Sequence, residues 1–183
     1  MRIWEADYVA KKLSCLDINF GNLKRNNMNV IIEPNDRFAY VGTKTGDIVE
    51  INIDRAIYTK CGPARKLLGQ GINCLALLPN GDLLAGSGDG TIAKLGSNLQ
   101  LKASCTVLGS VTSITLTADG THFFAGTSQS NIYWVDADQL NPELRNTCHY
   151  EKINDIQFPY GYSELFATCS VNDIRIWNSR NRQ

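Results

Sequence analysis

Four segments of the chain align with one another without gaps: AYVGTKTGDIVEIN, LLAGSGDGTIAKLG, FFAGTSQSNIYWVD and LFATCSVNDIRIWN. The small residue at the fourth position of each is Gly42, Gly86, Gly126 and Thr168, at steps of 44, 40 and 42. Self-similarity at a period of about 40–45 residues means an array of like units. Each unit covers its apolar face only against its neighbours, so the fold must be a stack or a ring.

The interior of the unit reads as β-structure. Upstream of each segment lies another apolar stretch (MNVIIEPNDR, INCLALLPNGD, VTSITLTADGT, INDIQFPYGYS), with the alternation of a half-buried strand at Leu75 and Leu77, Ile114 and Leu116, and Ile156 and Phe158. Turn residues follow at Pro34-Asn35-Asp36, Pro79-Asn80-Gly81, Ala118-Asp119-Gly120 and Pro159-Tyr160-Gly161. The third stretches, DIVEIN, TIAKLG, NIYWVD and DIRIWN, are rich in β-branched and aromatic residues. A weaker fourth strand such as LQLKASCTVL fits an outer edge, which buries one face and tolerates charge. No stretch has a helical period. The expected fold is all-β, with four-stranded sheets arranged radially.

The chain begins with RIW and repeats RIW at residues 175–177. Aligning the two puts residues 1–27 at the end of a preceding unit and its linker. Four units then occupy about 28–68, 69–107, 108–148 and 149–183, the last without its outer strand. An open array leaves two apolar faces bare, and each large side chain left wet forfeits about 1.5–3 kcal/mol, against the roughly 5–15 kcal/mol that stabilises a domain. An excerpt of a larger protein, or a domain closed by another chain, is therefore expected. In an alternative, residues 8–22 fold back as the missing outer strand of the fourth unit and close a small ring.

Lysine plus arginine equals aspartate plus glutamate, 18 against 18, so no bulk field draws the chain to nucleic acid or to an anionic membrane. Lys11-Lys12, Lys24-Arg25 and Arg65-Lys66 are short basic pairs in linkers, read as solvated surface. MRIWEADYVAKKL holds no signal-peptide core, and no run approaches a membrane span, so an intracellular place is expected. Six cysteines are scattered without zinc-ligand spacing and read as thiols. Cys148-His149 resembles a thiol–imidazole pair, but adjacent side chains point apart. Gly86-Ser87-Gly88-Asp89-Gly90 lacks the lysine and helix of a phosphate loop. No catalytic, cofactor or metal site is expected, and the chain reads as a binding module. Tyr160 and Tyr162, on an exposed turn, are candidate protein-binding residues.

Taken together, the period, the hairpins and Trp177 resemble the WD-repeat family, which implies a WD40-type β-propeller, here about four blades and a half blade of a larger ring. The family ties a blade together through a histidine, a serine or threonine, a turn aspartate and a tryptophan. That resemblance assigns His149, Ser87, Asp89 and Trp177 to structural networks. Val171 stands at the aspartate position of the fourth unit, so no unit is expected to hold a whole network. The runs VGTKTGDI, VTSITL, GTSQSNIY and TCHYEKINDIQFPYGYSELFATCSVNDIRIW are similar to ciliary WD-repeat proteins that lie inside doublet microtubules. This likeness implies a scaffold of the ciliary or flagellar axoneme, with tubulin, other axonemal proteins and the remaining blades of a full-length chain as partners. An alternative rests on IRIWNSR, where Trp177 and Arg180 resemble the box by which WD-repeat receptors dock on a cullin-RING ubiquitin ligase.

Overall fold

Alternating apolar residues, broken by turn residues at short intervals, give strands throughout. The computed structural model describes residues 1–64, 68–147, 149, 154–157, 160, 165–171 and 173–178. Among them there is no helix. A hairpin of β1 (Arg2–Asp7) and β2 (Lys12–Asp17) comes first. Three antiparallel four-stranded sheets follow. The first is β3 (Asn27–Ile32), β4 (Phe38–Thr43), β5 (Ile48–Asn52) and β6 (Ile57–Gly62). The second is β7 (Ile72–Leu77), β8 (Leu83–Ser87), β9 (Thr91–Leu95) and β10 (Leu101–Thr106). The third is β11 (Val111–Leu116), β12 (His122–Thr127), β13 (Asn131–Asp136) and β14 (Pro142–Thr147). In the fourth, β15 (Asp155–Gln157), β16 (Leu165–Cys169) and β17 (Ile174–Asn178) are the described strands.

Each sheet is a simple meander, and β7 lies against both β3 and β11. The first strands therefore sit innermost, with the sheets fanned around them as propeller blades. The cores lie between sheets. Ile48, Ile72, Leu83, Ala85 and Leu95 fill the space between the first and second; Leu84, Ile92, Phe123, Ala125 and Val135 fill that between the second and third. Val41, Val49 and Ile51 pack against Ile18, with Ile3 and Phe20 alongside. Large apolar side chains stay exposed at both flanks, Trp4 and Leu13 at one and Ile174 and Ile176 at the other.

Polar side chains also cross between sheets. Asn29 Nδ2 donates to the Ile72 carbonyl at 2.6 Å, and Asn73 Nδ2 to the Val111 carbonyl at 3.0 Å. Lys60 Nζ joins Glu50 at 3.0 Å to the Ser97 carbonyl at 2.8 Å. Lys94, 9% exposed, reaches from β9 to the Ala137 carbonyl and Asp138 of the third sheet. The turn between second and third strands needs positive φ: Gly46 (89°), Gly90 (88°) and Ser130 (58°) occupy the same place in three sheets. A Cβ on Gly46 would also come within 1.9 Å of the Leu68 carbonyl oxygen.

Two expectations are corrected. Residues 12–17 do not complete the fourth sheet: they pair with residues 2–7, Arg2 opposite Asp17 and Asp7 opposite Lys12. A short reverse turn after Asp7, whose carboxylate accepts the Val9 and Ala10 amides, makes this local pairing the shorter closure. The gapless alignment also fails in the fourth unit. Gly42, Gly86 and Gly126 face Ile48, Ile92 and Ile132 across the strand pair, but the residue facing Ile174 is Cys169. The fourth turn is one residue shorter, and Thr168 sits one position earlier than the glycines.

Candidate functional site

That one-residue offset decides the chemistry of the fourth sheet. Thr168 on β16 lies across from Arg175 and on the same face as Trp177. Trp177 Nε1 donates to Thr168 Oγ1 at 2.6 Å. Thr168 Oγ1 lies 2.5 Å from His149 Nε2, and His149 Nδ1 lies 2.9 Å from Asp173 Oδ2. One proton arrangement serves every member: indole to hydroxyl, hydroxyl to Nε2, and Nδ1–H to the carboxylate. His149 is 1% exposed, so each of these bonds replaces water that cannot reach it. Arg175 Nε also donates to Asp173 at 2.7 Å. The Arg175 hydrogen bond, with that from His149, holds the Asp173 carboxyl below the usual carboxylate range although burial opposes it.

A complete histidine–threonine–aspartate–tryptophan network therefore exists, contrary to the sequence expectation. Asp173, just before β17, supplies the acid that Val171 cannot. The signal was present as the Asp-Ile pair in SVNDIRIW, matched by Asp47-Ile48 in TKTGDIVEI.

Ser87 and Asp89 form a separate, local pair. Ser87 Oγ donates to Asp89 Oδ1 at 2.5 Å, and the Thr91 amide donates to the same oxygen at 2.9 Å. Burial works to raise the Asp89 carboxyl, and the bonds from Ser87 and Thr91 outweigh it, leaving it below its ordinary value. Gly69 passes so close that a Cβ there would meet Asp89 Oδ2 at 2.1 Å. Of the four residues assigned to blade networks, His149 and Trp177 thus meet through Thr168 in the fourth sheet, whereas Ser87 and Asp89 bond each other at the turn of the second.

Sequence reasoning missed the first sheet's version. Asp47 accepts from Thr45 Oγ1 at 2.6 Å, from Thr43 and from Arg25 Nε at 2.7 Å, so arginine ties the entering loop to the turn. Burial acts to raise Asp47, and the hydroxyls and Arg25 outweigh it. In the third sheet Asn131 stands at the Asp47 position, and the buried Thr127 hydroxyl has no hydrogen-bond partner among the described residues.

Of the candidate protein-binding residues, Tyr160 is fully exposed. Tyr162 and Arg180 lie outside the described residues, as do Cys148 and the Arg65-Lys66 pair. The Trp177 indole of the ligase-type box is turned to Thr168. Among the described residues no group of three or more histidine, cysteine, aspartate or glutamate side chains could hold a metal ion, and no helix is long and apolar enough to cross a membrane.

Residues 62–93 match the model of the WD domain, G-beta repeat. This stretch is a WD repeat, and the sheets around it have the WD40-type propeller fold. Solved structures agree on the chain's fold. A chain of the crystal structure of the mitotic checkpoint complex superimposes with a TM-score of 0.68 at 17% identity, covering 97% of this chain and 54% of that one. The U3-55K structure superimposes with a TM-score of 0.67 at 12% identity, covering 89% and 52%. In sequence the chain is closely similar to cilia- and flagella-associated protein 52. It is 39% identical to the protein of Bos taurus over 98% of its length and 39% identical to that of Chlamydomonas reinhardtii over 97%. With the Homo sapiens protein it shares 38% over its whole length. The chain spans 29% of the bovine and algal proteins and 30% of the human one.

Proposed function

We propose that the chain is part of a non-catalytic WD-repeat scaffold of ciliary and flagellar axonemes, seated inside doublet microtubules against tubulin and other axonemal proteins. The coarser part, a WD-repeat ciliary protein, rests on one observation. Relatives named for cilia and flagella, from a mammal and a green alga alike, share 39% of residues along nearly the whole chain. The names and the repeat point to a structural protein. A stack of meander sheets tied by buried hydrogen bonds is stiff, so it loses little entropy on docking, which suits a role in a fixed lattice.

The test is location. The tagged full-length protein is expected in isolated axonemes and retained in doublets after a salt wash. A purely soluble pool would refute the scaffold reading.

A further inference from the structure

At the end of the array where first strands turn into second strands, β3, β7 and β11 line a groove of about 780 Å³. Its walls are Ile31, Leu75, Leu77, Ile114 and Leu116, none of them fully buried, and Pro34 and Pro79 form its lip. Among the described residues each of these three strands is hydrogen-bonded to a neighbour on one side only, so backbone groups face the groove as well.

The lip is acidic. Glu33 lines the groove, half-buried, and accepts the Tyr40 hydroxyl at 2.9 Å. Asp36 is exposed next to the lining residue Asn35. Asp119 precedes Gly120, on which a Cβ would meet Pro79 Cγ at 2.4 Å, so the third turn abuts the lip. Hydrogen bonds from Thr117 and Thr121 hold Asp119 ionised. Asp82 is neutralised by Lys102 at 2.7 Å. Arg37 is the one cation in the stretches 33–37, 78–82 and 117–121, and its guanidinium lies over the Phe38 ring at 5.9 Å.

We propose that this groove docks a partner segment carrying a large apolar side chain flanked by lysine or arginine. The apolar walls supply affinity, the carboxylates select the flanking charge and speed encounter, and the open strand edges accept an extended backbone. The charge balance of the lip chooses this occupant over an acidic or purely apolar one.

The full-length protein is titrated with fluorescein-labelled Gly-Lys-Leu-Phe-Lys-Gly and Gly-Glu-Leu-Phe-Glu-Gly, reading anisotropy at low and high salt. The lysine peptide is expected to bind at least about tenfold tighter at low salt, the gap shrinking as salt screens the lip. The triple variant Glu33→Gln, Asp36→Asn, Asp119→Asn keeps hydrogen-bonding capacity in the turns and should lose at least about fivefold for the lysine peptide. Methyl signals of Ile31, Leu77 and Leu116 should move on binding. Equal binding of both peptides, no binding of either, or shifts elsewhere would overturn the proposal. So would concentration-dependent shifts of these methyls without peptide, because a second copy would then be the occupant.

Discussion

His149 Nδ1 and Asp173 Oδ2 lie 2.9 Å apart, with the imidazole buried and the partly exposed carboxylate just ahead of β17. The pair ends a chain of donors that begins at the Trp177 indole. Asp173→Ala leaves a buried N–H without its acceptor, which costs about 1–3 kcal/mol. Urea unfolding should show the midpoint falling with the slope unchanged.

The same substitution should have opposite effects on two sheets. Thr168→Val breaks two bonds of the buried network and is expected to cost about 2 kcal/mol or more. Thr127→Val removes a buried hydroxyl that has no partner among the described residues, at nearly constant shape, and should be neutral or stabilising. Thermal denaturation of the two variants against the parent chain decides; equal losses would contradict the network.

Lys94 crosses to the third sheet at 2.9 Å from the Ala137 carbonyl and 3.0 Å from Asp138. Asp138 is 83% exposed, so its ion pair is screened and Asp138→Ala should cost under about 1 kcal/mol. Lys94→Met strands the carbonyl and should cost about 1–3 kcal/mol. Both are read from chemical denaturation.

Two glycines with similar φ separate strain from crowding. Gly81, at 84°, has open space among the described residues where a Cβ would sit, so Gly81→Ala bears mainly the backbone cost of about 1–2 kcal/mol. Gly46, at 89°, adds collision with the Leu68 carbonyl, and Gly46→Ala should be distinctly worse in the same assay.

Acid should weaken the fold through the turn carboxylates. Asp47, Asp89 and Asp173 all sit below the ordinary carboxylate value when folded. Their contribution is therefore complete above about pH 4 and is lost as pH falls through the depressed folded values. Stability against urea should drop below about pH 4, and less steeply in Asp47→Asn. Asp119 is the marker for direct titration, its carboxyl expected near 2, held down first by the Thr117 hydroxyl.

The sequence by itself determined the repeat, the strands and the hairpins, because these depend on neighbours a few residues apart. Apolar alternation at Leu75 and Leu77 and the turn at Asn80-Gly81 act within one hairpin, and the structure has them there. Tertiary structure alone decided that β2 pairs with β1, that Lys94 serves the next sheet, and that Thr168 joins His149. The physical reason is strand geometry: a slip of one residue turns every side chain to the other face. A turn one residue shorter than its siblings, invisible in a gapless alignment, therefore put Thr168 beside Trp177 and Asp173 beside His149.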